Sequence, residues 1–271
     1  MNTRPPEPGI GRLFLDKIVA ATRARIARLR AETMSAALES RARAHSPHSL
    51  AAALKASSPA IIAEVKKASP SRGLFRADFD PLTLAASYRE GGAAALSVVT
   101  EPEYFQGNDE WLTEIRAQTT LPILRKDFIL DPLQVVESAA LGADAILVVA
   151  RLLSLEQMRE LRQMADRLRL EVVFEAHDED DLERINACAP ALVGVNARNL
   201  DTFVVDTDQF ARLRAKLSAD AIAIAESGLS THADIAAARR HGYTGFLIGE
   251  TLVRAENPAA LLRRLRDGAG A

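Results

Sequence analysis

The chain has little of what builds disulfides, metal clusters or membrane anchors. Cys188 is the single cysteine in 271 residues, so no intrachain disulfide and no cysteine-based metal cluster can form, and a reducing compartment is expected. As a small apolar filler, Cys188 needs no chemistry of its own. His45, His48, His177, His232 and His241 are scattered, and without a cluster at ligand spacing no metal is expected. No apolar run approaches the roughly 20 residues of a membrane span, and the opening MNTRPPEPGIGR lacks the apolar core of a signal peptide. A cytoplasmic protein is the expectation. Positive charge is not in excess either. Against 34 Lys and Arg stand 36 Asp and Glu, a net charge of −2, which disfavours a nucleic-acid protein because phosphate-backbone binding needs a basic surplus. The expected partner is therefore a small molecule, with neither nucleic acid nor membrane. A GxGxxG turn after the first strand is missing too, which removes the main signature of a dinucleotide-binding fold.

What is there is a repeated unit: a short run of Val, Ile, Leu and Ala, a few polar residues, then an amphipathic stretch. The runs are PAIIAEVK (59–66), AAALSVVT (93–100), LPILRKDF (121–128), ADAILVVA (143–150), LEVVFEAH (170–177), ALVGVNAR (191–198), AIAIAESG (221–228) and TGFLIGET (244–251). Between them lie helical candidates such as DPLTLAASYREGGA, DPLQVVESAALGA, SLEQMRELRQMADRL, THADIAAARRHGY and NPAALLRRLRD. Several open on an N-capping side chain, and Gly92, Gly142 and Gly242 stand where helices should stop. Near-continuous apolar strands alternating with helices indicate a parallel sheet, and eight units predict a closed (β/α)8 barrel. Ahead of it, FLDKIVAATRARIARLRAE (14–32) aligns Leu15, Ile18, Val19, Thr22, Ile26 and Leu29 on one helical side. The expected layout is an N-terminal helical extension over 1–50, ending in a linker through SRARAHSPHS (40–49), packed on a barrel over 51–271.

The first strand contains Glu64 and Lys66 after an apolar start. Residues two apart share a face of a strand, so Ile62, Glu64 and Lys66 point one way and Ile61, Ala63 and Val65 the other. If the more aliphatic set lies under the helices, the two charges project into the barrel at the strand's C-terminal end, where barrel enzymes place their catalytic groups. A purely structural Glu64–Lys66 pair would also satisfy the pattern. The arrangement recurs, however: Lys126 ends the third run, Glu175 the fifth, Asn196 and Arg198 the sixth, and Glu226 the seventh. A closed barrel aims such ends at a common axis, and lysines among carboxylates shift one another's proton affinities as acid–base chemistry requires. His177 reads as a capping group or a support for a neighbour rather than a ligand. Anion binding has its own signals in SPSRG (69–73), Ser227-Gly228 and Gly249-Glu250-Thr251, because the loops after strands 7 and 8 form the recurrent phosphate site of these barrels.

The motifs FLDKIV, IIAEVKKASPSRG, LSVVTEPEYFQG, PILRKDFILDPLQV, GADAILVVA, EAHDEDDL, VGVNARNLDTF, AESGLST and FLIGETL, in that order, resemble those of the indole-3-glycerol phosphate synthase family from Leu13 to about Arg266. The resemblance implies a tryptophan-pathway enzyme that closes the indole ring of 1-(2-carboxyphenylamino)-1-deoxyribulose 5-phosphate, releasing carbon dioxide and water without a cofactor. It implies that Lys126 is the general acid and that Glu175 moves a proton in the dehydration. Lys66, held by Glu64, would meet the substrate carboxylate, with Arg198 plausible there by charge. Asn196 would bond the reacting region, and Glu226 with Ser227 would hold the network. Ser69, Gly228, Gly249 and the Glu250 backbone would take the phosphate. The expected assembly is a monomer or weak homodimer. Ala197, Ala176 and Arg151 depart from the family pattern. Two other readings stay open: another phosphate-binding barrel, such as the preceding isomerase or the tryptophan synthase α-subunit, and an inactive ligand sensor.

Overall fold

The structure is a computed structural model that describes residues 10–32 and 36–268. The opening MNTRPPEPG, part of the segment read against a signal peptide, lies outside the described residues. No described helix is long and apolar enough to cross a membrane.

Eight parallel strands close into a barrel in sequence order: β1 (Ala60–Val65), β2 (Ala95–Val99), β3 (Ile123–Lys126), β4 (Ala145–Val149), β5 (Glu171–Ala176), β6 (Leu192–Asn196), β7 (Ile222–Glu226) and β8 (Gly245–Ile248). Each lies within one of the eight apolar runs. The parity argument holds around the barrel. Ile62, Leu124, Leu147, Val173, Leu192, Ile224 and Leu247 form the inner core, while Ile61, Ala63, Val65, Val98, Val148, Val193 and Ala225 belong to the outer core beneath the helices.

Five of the helices show why the sequence folds locally as it does. These are α4 (Pro81–Gly91), α6 (Pro132–Leu141), α7 (Leu155–Leu168), α10 (His232–Arg240) and α12 (Pro258–Asp267). They begin on Asp80, Asp131, Ser154, Thr231 and Asn257, whose side chains accept first-turn backbone N–H groups that would otherwise be orphaned. Gly92 and Gly142 close α4 and α6 at φ 85° and 92°, a left-handed conformation that costs glycine nothing.

Ahead of β1 lie α1 (Ile10–Glu32), α2 (Ala36–Ala44) and α3 (Leu50–Ala56). On α1, Leu15, Ile18, Thr22 and Ile26 are buried as the pattern predicts. The linker expected over 40–49 is corrected in part: α2 runs through Ala44 and buries Ala42 in the outer core. Alanine-rich AALESRARA has high helix propensity, and a small face that can pack decides the matter. Only the segment after it is a connector, held by the buried Asp144, which accepts the His48 backbone N–H at 2.8 Å. Below it, α3 drives Leu50 and Leu54 into the inner core.

Candidate active site

At the C-terminal ends of the strands the barrel opens into a cavity of about 410 Å³. All twelve residues singled out from the sequence line it: Glu64, Lys66, Ser69, Lys126, Glu175, Asn196, Arg198, Glu226, Ser227, Gly228, Gly249 and Glu250. Parity brings them there, because Glu64, Lys126, Glu175, Asn196 and Glu226 occupy inward positions at or next to the last residues of their strands. Apolar lining comes from Phe14, Phe105, Phe128, Leu147 and Leu200. Phe14 of α1 meets Tyr104 edge-on at 4.9 Å and Phe203 at 5.8 Å, so the extension forms part of the rim.

Lys126 is the hub. Its Nζ donates to Glu175 Oε2 at 3.0 Å and to Glu226 Oε2 at 2.8 Å, and its side chain is 17% exposed. Burial disfavours its charge, but the fields of Glu175, Glu226 and Glu64 outweigh that and hold the ammonium well above its ordinary value. The two carboxylates are driven apart. Burial resists ionisation of Glu175, yet Lys126 and His177 overcome it and keep its carboxyl low. Burial, together with the charge of Glu175, raises Glu226 despite the lysine. Two carboxylates sharing one cation thus split into an ionised member and a member that holds its proton. Lys66 pairs with Glu64 and lies 5.5 Å from the Phe75 ring centroid.

Glycines make room for this network. A methyl at Gly194 would overlap Glu226 Oε1 and stand 3.1 Å from its Cδ, while one at Gly249 would crowd Glu64, 3.0 Å from its Cδ. Gly194→Ala is therefore expected to push Glu226 off Lys126 and lower turnover by about tenfold or more with the fold retained, as misplacing a supporting group does. Steady-state kinetics beside a thermal melt check this, and unchanged turnover would show that Glu226 reaches Lys126 by another rotamer.

The loop sites are partly as expected. Ser227 and Gly228 are both left-handed, at φ 68° and 75°. That conformation is strained for serine and turns the backbone sharply at the rim. The Glu250 carboxylate meets Arg254 at 3.2 Å and Arg72 at 3.8 Å. Arg198 donates to the Phe203 carbonyl at 3.0 Å; burial lowers its proton affinity, which Glu250 partly restores and Arg72 opposes. Of the departures from the family pattern, Ala197 and Ala176 point into the outer core. Arg151 meets Asp178 at 2.9 Å, Asp201 at 3.6 Å and Asp181 at 3.9 Å, joining three rim loops.

Several contributors escaped the sequence reading. Glu101 accepts the backbone N–H groups of Glu103, Tyr104 and Phe105 and so shapes the rim after β2. Arg125, beside Lys126 but outward, is fully buried among Asp109 at 2.7 Å, Glu137 at 2.8 Å and Asp127 at 3.3 Å. Asp127 in turn accepts from Arg25 of α1 at 2.6 Å, tying the extension to the residue next to the hub. The signal was available, since a charge at an outward strand position must be answered somewhere.

A closed barrel with a buried lysine–glutamate network at its strand ends defines a (β/α)8 enzyme. Its family follows from comparison. A family model described as indole-3-glycerol phosphate synthase matches residues 15–265, and the chain belongs to that family. An indole-3-glycerol phosphate synthase of Ruminiclostridium cellulolyticum is 40% identical over 95% of this chain and 100% of its own. One from Polaromonas sp. is 47% identical over 80% of this chain and 82% of its own. Among solved structures, a 3-hexulose-6-phosphate synthase superposes with a TM-score of 0.63 at 15% identity, covering 77% of this chain and 99% of that one. A thiamine phosphate pyrophosphorylase from Pyrococcus furiosus gives 0.57 at 11% identity, over 77% and 94%. At those identities the likeness concerns the fold alone.

Proposed function

We propose that this chain closes the indole ring of 1-(2-carboxyphenylamino)-1-deoxyribulose 5-phosphate with Lys126 as the general acid. The observation that carries the reading is Lys126 held between Glu175 and Glu226 in a cavity also lined by Lys66, Arg198 and a set of apolar side chains. The anilino ring suits Phe14, Phe105, Phe128, Leu147 and Leu200. As the ring carbon bonds to the ketone carbon, the carbonyl oxygen becomes an alkoxide. An ammonium fixed at that oxygen stabilises the charge that appears only in the transition state, and can hand over a proton even when its own proton is tightly held, because an alkoxide is the stronger base. Loss of carbon dioxide then returns electrons to the ring. Departure of the new hydroxyl as water, with a proton taken by Glu175, completes the indole.

Lys66, steadied by Glu64, meets the substrate carboxylate and supplies a proton to the leaving hydroxyl, and Arg198 assists the carboxylate. Asn196 bonds the reacting region, while Glu226 and Ser227 keep the hub in place. Ser69, Gly228, Gly249 and the Glu250 backbone receive the phosphate, with the Glu250 carboxylate drawn off by Arg254 and Arg72. The reading extends to a cytoplasmic enzyme, cofactor-free, monomeric or weakly dimeric, with residues 1–50 as an extension packed on the 51–271 barrel.

Indole fluorescence on mixing purified protein with the carboxyphenylamino-deoxyribulose phosphate, chelator present, is the test. Its absence with a folded, ligand-binding protein would overturn the activity. Lys66→Ala is expected to raise KM and lower kcat together, each by about tenfold, because it removes a contact made before and during reaction. An unchanged KM would take Lys66 away from the substrate carboxylate.

A further inference from the structure

His177 has no part in the steps above, yet it stands against the network. It follows β5 by one residue, and its side chain is 2% exposed. Its Nε2 lies 3.2 Å from Glu175 Oε1, the oxygen that Lys126 does not take, and its Nδ1 lies 3.7 Å from Asp181 Oδ2. Neither ring nitrogen has a hydrogen-bond partner of good geometry. Two buried, unmatched polar atoms are uncommon in a native interior and call for an explanation. The ring itself is well anchored at the backbone: His177 N–H donates to Asp181 Oδ2 at 2.9 Å, and its carbonyl accepts from Gln209 Nε2 at 2.9 Å.

We propose that His177 is a positioning residue for Glu175, gripping Oε1 so that Oε2 stays on Lys126, and that the grip tightens as the substrate settles. The inference rests on Glu175 being the proton-transfer group. A carboxylate has two oxygens, and one cation leaves it free to swing about its Cγ–Cδ bond. A donor on each oxygen holds the plane. Active-site contacts that are loose without substrate commonly shorten in the reacting complex, which fits a 3.2 Å approach of poor angle. The charged groups around the ring all bear on it. Glu175 faces it from β5 and Asp181 from α8 (Glu179–Asn186). Arg184 of the same helix holds Asp181 Oδ1 at 2.6 Å, and Arg151, after β4, lies 3.9 Å from Asp181 Oδ2. Behind Glu175 stand Lys126 and, across it, Glu226. A neutral imidazole has one donor and can serve one carboxylate; a ring serving both must carry both protons. The contacts run from the hub to the rim loops through Lys126, Glu175, His177, Asp181 and Arg184.

The test uses His177→Phe and His177→Gln in the full chain. The phenylalanine keeps the volume and removes the donor. It is expected to lower kcat by about tenfold or more with KM within twofold, and to move the acid limb of kcat upward in pH, because Glu175 ionises less readily without the ring. Glutamine, whose amide reaches the same oxygen, is expected to recover most of kcat. A filler role would leave the acid limb where it is, and a folded His177→Phe with wild-type kcat and pH profile overturns the proposal. A second measurement does not depend on turnover: the ring nitrogen resonances of His177 in wild type and in Glu175→Gln. A changed titration of those resonances supports the contact, and an unchanged one overturns it even if the proposed activity itself proves wrong.

Discussion

Lys126→Ala is expected to lower kcat by at least about a hundredfold, the usual cost of losing a general acid, and also to make the fold pH-sensitive. The second effect follows from the two carboxylates. In the wild type the ammonium sits between Glu175 and Glu226; without it both carboxyls stay buried and side by side, and each is easier to protonate. A carboxyl raised in the folded state stabilises the fold below its unfolded value, and that contribution disappears as pH rises through the raised value. Glu226 already lies on that side in the wild type, and the variant adds Glu175. The melting temperature of the variant should therefore approach that of wild type near about pH 5 and fall away towards about pH 9. Kinetics and melts over that range check both claims. Near-normal turnover would remove Lys126 from the chemistry, and a pH-independent gap in melting temperature would mean that the lysine does not hold the carboxylates together.

Arg125→Met is expected to cost about 3–5 kcal/mol of stability, the range for removing one partner of a buried charge cluster. The guanidinium answers Asp109, Glu137 and Asp127 and donates to Thr100 and Ser138, so methionine fills the space and strands the carboxylates. For a chain of this size the loss corresponds to a melting temperature lower by roughly 10 °C. Turnover should fall as well, because Asp127 holds Arg25 of α1 and would be drawn from its place. Adding Asp127→Asn should recover part of the stability, as coupled sites do. A calorimetric scan in which Arg125→Met melts like wild type would show that solvent reaches the cluster.

These expectations also mark how far the sequence could be read. The eight strands and the inward aim of Glu64, Lys126, Glu175, Asn196 and Glu226 were legible because a strand has a period of two, so one assignment of faces propagates along it. Only 40–44 of the expected linker is helical, because polar and basic residues suit an exposed helix face as well as a loop, and burial of Ala42 leaves no periodic mark in so short a segment. The pairing of Arg72 with Glu250 and the three-loop reach of Arg151 depend on which loops the barrel brings together, which spacing along the chain does not encode. Gly194 is a further case: glycine in a strand reads as a weak point, and only the structure shows whose carboxylate fills the gap.

That gap ties position 194 to Glu226. Because a single carbon at position 194 would collide with Glu226, the two positions are epistatic: any larger residue at 194 is penalised until Glu226 has been shortened, and shortening Glu226 first releases the constraint. Substitutions at this pair are therefore not independent of one another. A mutational library covering both positions should return larger residues at 194 only in clones that have already lost the glutamate, and the same asymmetry should link Gly249 with Glu64.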